Sequence, residues 1–311
     1  MKRFAAWLGI FLVVFSVSVI SEAQCTFTDD TGEVITFTKM PEHTAVLFSS
    51  FADMWQLAGG KVLTTVGETV KRGIVSEDIA LVDKGAGKQV DLEALIMSGA
   101  DFVIGSCDIP SHVQARKALR LTGVPFALFR VESIEDYLRV LKIMTDINQN
   151  EDAYILFGEK VYQKTQSVIE KASDYKVKHL QEILFIRSGS SYSSAKAKTK
   201  DMHFAAKMLD DLGAKNIADE VPVIIDGLSF EEIFMKDPDA IFISLMGDEE
   251  ASREYAEQLL SKREWQMLTA VKNGRCYFLP KELFQFKPNE QWADAYEMMA
   301  KMLYPEWKDE E

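Results

Sequence analysis

The sequence predicts an α/β fold: two doubly wound lobes with mostly parallel sheets, joined by one long α-helix. Three observations carry this expectation. Short apolar runs alternate with helical patterns, which implies βα units and parallel pairing. One stretch, Glu151 to Ser173, holds a helical stripe with no proline. The pattern of the first half then restarts in the second.

The chain opens on Lys2 and Arg3, then an apolar run from Phe4 to Ile20, then Ser21-Glu22-Ala23, a small-x-small site. This order reads as a secretory signal peptide over residues 1–23. The alternative is an uncleaved anchor, because the run nears the lower length of a spanning helix. Cys25 follows closely. Bacterial lipidation wants an aliphatic residue three before the cysteine and a small one directly before it. Glu22 and Gln24 stand there, so the expectation is cleavage after Ala23 with no lipid on Cys25. The mature chain is then exported, to the periplasm or the outer face of the cytoplasmic membrane. In that oxidising setting Cys25, Cys107 and Cys276 allow one disulfide at most, and its pairing stays open.

Residues 24–149 form the first lobe. Thr26 to Thr38 alternates about Asp29-Asp30-Thr31-Gly32, which reads as a β-hairpin that Pro41 ends. Thr44 to Phe48 is a short strand. A helical pattern through Met54, Leu57 and Ala58 closes at Gly59-Gly60. Val62 to Val66 is a strand and Lys71 to Gln89 a polar loop. Asp91 to Ser98 is a helix, Phe102 to Gly105 a strand, Ser111 to Leu121 a helix and Phe126 to Phe129 a strand. Ser133 with Asp136 starts a further helix, whose apolar face is Tyr137, Leu138, Leu141 and Met144.

The linking helix falls in residues 150–174. Ala153, Phe157, Val161, Val168 and Ala172 share its stripe, and at 1.5 Å per residue it reaches ~35 Å, enough to cross from lobe to lobe. Residues 175–311 form the second lobe. Ile183 to Ile186 is a strand, Arg187 to Lys200 a loop rich in Ser and Gly, and Met202 to Leu212 a helix ending at Gly213. Val223 to Ile225, Ser229 to Met235 and Ile241 to Ser244 read strand, helix, strand. Helices near Glu250 to Leu260 and Trp265 to Val271 lead to the strand Cys276 to Leu279, and Asn289 to Leu303 is the final helix.

The internal repeat is specific. Asp91-Leu92-Glu93 opens one short helix and Ser229-Phe230-Glu231 another; each glutamate stands eight residues before an aspartate, Asp101 or Asp239, that opens a strand. The first helices end alike, in Leu57-Ala58-Gly59-Gly60-Lys61 and Leu212-Gly213-Ala214-Lys215. Two related lobes with a cleft between them follow from this. The plainer reading, that βα units resemble one another, stays open at this point.

Composition excludes several classes. Among 311 residues, 47% are hydrophobic and 27% charged, which is ordinary globular usage. The net charge of −13 and the lack of a basic stripe exclude wrapping of nucleic acid. Ser188-Gly189-Ser190-Ser191-Tyr192 is not a nucleophile elbow. In Gly85-Ala86-Gly87-Lys88, the lysine is followed by Gln89, where a phosphate loop needs Ser or Thr. The four histidines, His43, His112, His179 and His203, show no metal-motif spacing.

In order along the chain, Asp29-Asp30-x-Gly32, Pro41-x-x-x-Ala45-Val46-Leu47, Asp91-Leu92-Glu93, Ala100-Asp101-Phe102-Val103-Ile104, Ser229-Phe230-Glu231, Asp237-Pro238-Asp239-Ala240-Ile241, Trp265-x-x-Leu268-x-Ala270-Val271-Lys272-x-Gly274-Arg275 and Leu303-Tyr304-Pro305-Glu306 resemble the bacterial ABC-transporter substrate-binding proteins for iron–siderophore, haem and cobalamin. The resemblance spans nearly the whole mature chain. It implies capture of an iron chelate or related metal complex between two lobes and delivery to a permease dimer in the inner membrane. It implies no covalent chemistry and no cofactor beyond the bound ligand, an iron chelate or tetrapyrrole. A monomer is expected. Siderophore, haem and cobalamin stay open, and a bare Zn or Mn receptor and a secreted enzyme are the other readings. In the resembled family a glutamate from each lobe pairs with arginine on the permease; Glu93 and Glu231 match it.

Open α/β sheets place ligands at the loops after their strands. That rule nominates Ser49, Ser50, Phe51, Arg72, Cys107, Asp108 and Arg130 in the first lobe. It nominates Tyr192, Met202, His203, Met246, Phe284, Phe286 and Lys287 in the second. Taken singly, each is better explained as core or solvated loop; together they combine aromatics with cations. Arg72, Arg130 and Lys287 suit carboxylates or catecholates. His203, in the first helical turn, is the candidate metal ligand if haem or a bare ion is bound, with Met202, Tyr192 or Met246 contributing. Its other reading is a capping or solvated histidine.

Overall fold

The computed structural model describes residues 25–83, 89–176, 181–191, 193–222, 224 and 228–308. The signal peptide, the Gly85 to Lys88 stretch and Tyr192 lie outside the described residues. Among the described residues no helix is long and apolar enough to cross a membrane.

The first lobe opens on an antiparallel hairpin, β1 (Cys25–Thr28) and β2 (Val34–Phe37). The Asp29 carboxylate, buried, accepts from Thr31 N and Glu33 N in the turn. It also accepts from Leu128 N at 3.0 Å and pairs with Arg116 at 2.8 Å. One carboxylate thus fixes the turn and staples the hairpin to the lobe. The lobe's sheet is parallel throughout, in the order β5 (Ala80–Leu81), β4 (Val62–Thr65), β3 (Thr44–Val46), β6 (Phe102–Ser106), β7 (Phe126–Phe129). Helices α1 (Ser49–Leu57), α2 (Gly67–Lys71), α3 (Leu92–Met97), α4 (Pro110–Leu119) and α5 (Ile134–Ile147) lie among these strands and after them. The loop expected over Lys71 to Gln89 therefore carries an edge strand, β5.

The second lobe repeats the order. β10 (Lys215–Asn216), β8 (Glu182–Ser188), β11 (Ala240–Leu245) and β12 (Cys276–Leu279) are parallel, and β9 (Lys196–Ala197) adds antiparallel to β8. β9 lies inside the stretch expected to be loop. Of the strand expected over Val223 to Ile225, only Ile224 is described, and it is helical, its carbonyl accepting from Leu228 N.

The repeat extends to individual hydrogen bonds. Asp101 N donates to His43 O at 3.0 Å, and His43 N returns to the Asp101 carboxylate at 2.9 Å. Asp239 N donates to Glu182 O at 2.8 Å, and Glu182 N returns to the Asp239 carboxylate at 2.9 Å. Each aspartate clamps the start of the neighbouring parallel strand and so fixes register. Gly59 and Gly213 end matching helices at φ +90° and +92°, a left-handed conformation that only glycine adopts freely.

The linking helix departs from the expected unbroken α-helix. It runs as α6 (Glu151–Tyr154), a π turn (Ile155–Glu159) and α7 (Lys160–Lys176). At the interruption Tyr137 of α5 donates its hydroxyl to Phe157 O at 2.8 Å. A Cβ on Gly158 would stand 3.1 Å from the Tyr154 ring, so the glycine fits the tight turn. One apolar core runs beneath both lobes: Tyr137 of α5 meets Trp292, which meets Phe204 at 5.9 Å. The lobes are therefore joined by packing as well as by the helix.

Asp101→Ala and Asp239→Ala should each destabilise the protein by about 1–2 kcal/mol, the loss of charge-assisted bonds to strand-start N–H groups. Urea unfolding of the two variants checks this; wild-type midpoints for both would remove the strand-clamp role.

Candidate ligand-binding cleft

A cavity of about 520 Å³ lies between the lobes, lined by Glu68 and Arg72 from the first and by Lys281, Phe286 and Lys287 from the second. These residues follow β4 and β12, at the strand ends where an α/β sheet leaves its crevice. A second hollow of about 420 Å³ lies along the helix Trp292–Leu303 and shares no residue with the first.

Arg72 stands half-buried in the cavity wall. Its NH1 donates to Ser49 Oγ at 3.1 Å, and its guanidinium lies 4.2 Å over the Phe286 ring. Burial pulls its pKa down, opposed by Asp53, Glu68, Glu282 and Glu290 nearby. Among the described residues no carboxylate reaches ion-pair distance of it. A stacked, part-desolvated guanidinium without a direct counter-ion is suited to a planar or anionic partner.

Glu132 links the two sides of the cleft. It extends from the loop after β7 and pairs through Oε1 with Lys287 Nζ at 2.8 Å. Its Oε2 accepts from Phe204 N at 3.2 Å, in the first turn of α8 (Phe204–Asp211). The Lys287 ammonium also lies 4.3 Å over the Phe204 ring. Burial lowers the pKa of Lys287, of Arg187 and of Lys198. Arg187 Nε is buried without a partner. Lys287, Arg187 and Lys198 thus form a desolvated positive cluster around His203.

His203 is not a free ligand in the first helical turn. It is the N-cap of α8, and its Nδ1 accepts from Ala205 N at 3.2 Å. The ring packs against Phe185 and Phe204 and is 7% exposed. Burial, with Lys287, Arg187 and Lys198 adding, drives its pKa well below the usual histidine value, so the ring is neutral. His112 lies in the other lobe, fully buried, with Nδ1 accepting from Ser106 N and burial lowering its pKa to about 4.

The other nominated residues divide. Phe51 and Phe284, expected to line the cleft, are core residues: Phe51 packs on Phe48 and Phe129, and Phe284 is fully buried. Apolar side chains at strand ends turn inward when a core is there to receive them. Ser50 is buried and serves structure, its hydroxyl accepting from Lys287 N at 3.1 Å and its carbonyl from Asn289 Nδ2 at 2.9 Å. Arg130 pairs with Asp108 at 2.6 Å on the exposed rim, which holds its charge firmly. Met202 is exposed, while Cys107 and Met246 are half-buried. Cys25, Cys107 and Cys276 are all free thiols. Glu132, Arg187 and Lys198 were not anticipated. The strand-end rule that nominated Arg130 also points to Glu132 two residues on and to Arg187 at the end of β8.

Glu93 and Glu231 both stand at the second position of their helices, α3 and Phe230–Lys236, and both are exposed. The likeness continues past them. Leu95 and Ile233 are buried, whereas Ile96-Met97 and Phe234-Met235 are exposed, the methionines by 79% and 70%.

Similar architectures occur among solved structures. A Staphylococcus aureus protein complexed with staphyloferrin B is 16% identical, with TM-score 0.68, covering 89% of this chain and 98% of its own. A second from that organism, complexed with haem, is 13% identical, with TM-score 0.68, covering 84% and 98%. A siderophore-binding protein bound to two acinetobactin molecules and ferric iron is 14% identical, with TM-score 0.71, covering 92% and 100%. At these identities the likeness establishes the fold. No curated protein matches the sequence significantly. Residues 45–283 match the periplasmic binding protein family, and the chain, with its two parallel-sheet lobes about a cleft, belongs to that family.

Proposed function

We propose that the protein is the exported substrate-binding component of an ABC importer and that its cargo is an anionic ferric chelate, a siderophore complex first. The observation that carries this reading is the cation pair in the cavity wall: Arg72, stacked on Phe286 with no carboxylate at ion-pair distance among the described residues, and the desolvated Lys287, whose charge Arg187 reinforces. Solved structures of the same fold, one complexed with staphyloferrin B and one with acinetobactin and ferric iron, support it. Haem is the second reading. His203 would then have to meet iron through Nε2, since Nδ1 already accepts from Ala205 N, and its burial weighs against this. Export follows the signal peptide over residues 1–23, with cleavage after Ala23 and no lipid on Cys25.

Glu93 and Glu231 are proposed to register the protein on a permease dimer through basic side chains. A carboxylate near a helix start is also favourable by itself, by about 0.3–1 kcal/mol. The matched apolar pairs beside each glutamate are what a helix-start role alone does not require.

Titration with anionic ferric siderophores should show one-to-one binding with quenching of tryptophan fluorescence, and Arg72→Ala should weaken it tenfold or more, about 1.4 kcal/mol. Flat titrations with every ferric chelate and with haem, alongside tight Zn²⁺ or Mn²⁺ binding, would replace this cargo by a bare ion. Glu93→Ala and Glu231→Ala should each keep cargo affinity and melting temperature and slow uptake into vesicles holding the cognate permease. The double variant should nearly abolish uptake; normal uptake by it would leave both residues as helix-start carboxylates.

A further inference from the structure

We infer that the Glu132 carboxylate is a placeholder in an anion seat of the second lobe, and that the cargo's own carboxylate takes that seat on binding. This rests on the ligand-capture reading above and names the group the cargo must bring.

The seat belongs to one lobe and its occupant to the other. Lys287 Nζ and Phe204 N–H come from the second lobe; the carboxylate that answers them comes from the loop after β7 in the first. Around the seat, Arg187 Nε is buried without a partner, and Arg187 and Lys198 both add positive field at His203. Glu132 is the carboxylate in direct contact with this group among the described residues. Desolvated cations and a helix-start N–H together hold an anion far better than water-exposed ones do.

The two partners are not equally fixed. The Lys287 side chain is 11% exposed, and its own backbone N–H is tied to Ser50. The Glu132 side chain is 41% exposed, and beyond the seat itself Glu132 is held through its backbone N–H, by Asp136 at 3.0 Å. Rotating Glu132 outward returns its carboxylate to water at small cost. Leaving Lys287 without an anion costs much more, because its charge stays buried. An incoming carboxylate can therefore exchange with Glu132, whereas a neutral donor would strand Lys287. The seat selects for charge.

Calorimetric titration of the purified mature chain tests this with two probes: ferric citrate, which carries carboxylates, and a neutral ferric trihydroxamate, which carries none. Glu132→Gln keeps an acceptor for Phe204 N and removes the competing charge. It should bind ferric citrate at least fivefold tighter than wild type, while Lys287→Met should bind it at least tenfold more weakly. Equal or weaker binding of ferric citrate by Glu132→Gln, shown folded by a cooperative thermal transition, overturns the seat. Tight binding of the neutral trihydroxamate with no response to either substitution also overturns it and leaves chelate capture standing. If wild type and both variants bind no ferric chelate at all, the capture reading fails and the seat fails with it.

Discussion

The structure depends on how the segment after β12 crosses beneath the cleft and is gripped by the first lobe. Lys287 N and Asn289 Nδ2 both reach Ser50, and Asn289 Nδ2 is also 2.7 Å from Asp53. Asn289 is fully buried at φ +49°, a left-handed backbone that asparagine tolerates better than most residues, and its side chain is engaged on the far lobe. Trp292 follows directly and enters the shared core at Tyr137 and Phe204. Buried polar contacts of this kind specify one arrangement, since a lost partner leaves an unsatisfied group. The cleft therefore has a floor common to both lobes, tied by the bonds to Ser50 and Asp53.

The cleft's electrostatics follow from that floor. Lys287 is carried into the interior by a backbone that cannot retreat, so its charge must be met from across the cleft. Arg72 is in a different position, stacked on Phe286 with carboxylates near but none in contact. One cation is answered by a carboxylate from the other lobe, and the other by a hydroxyl and an aromatic face. The two halves of the cavity are thus not equivalent, although the lobes that build it are.

Much of the architecture was legible in the sequence because it is written locally. Turn glycines, the Asp101 and Asp239 strand starts and the short apolar runs each act within a few residues, so the lobes and their repeat could be read directly. The cleft was less legible. Phe51 and Phe284 look like aromatic lining in sequence, and only the packing around them shows that they face the core. Glu132 carries no motif, and its meaning comes from Lys287, far along the chain and across a lobe boundary. In sequence His203 reads either as ligand or as cap; the hydrogen bond its Nδ1 accepts from Ala205 N makes it a cap.

The π turn in the linking helix explains why its stripe could be read as continuous. Ala153, Phe157, Val161 and Thr165 are spaced by four and all buried or half-buried. In a regular α-helix each step of four overshoots a full turn by roughly 40°, so three steps would carry the stripe about 120° around the axis. The wider turn over Ile155–Glu159 takes up the excess and returns the stripe to one side. A single residue's worth of slack therefore decides which side chains of α7, Val161 and Ala172 among them, reach the core that both lobes share.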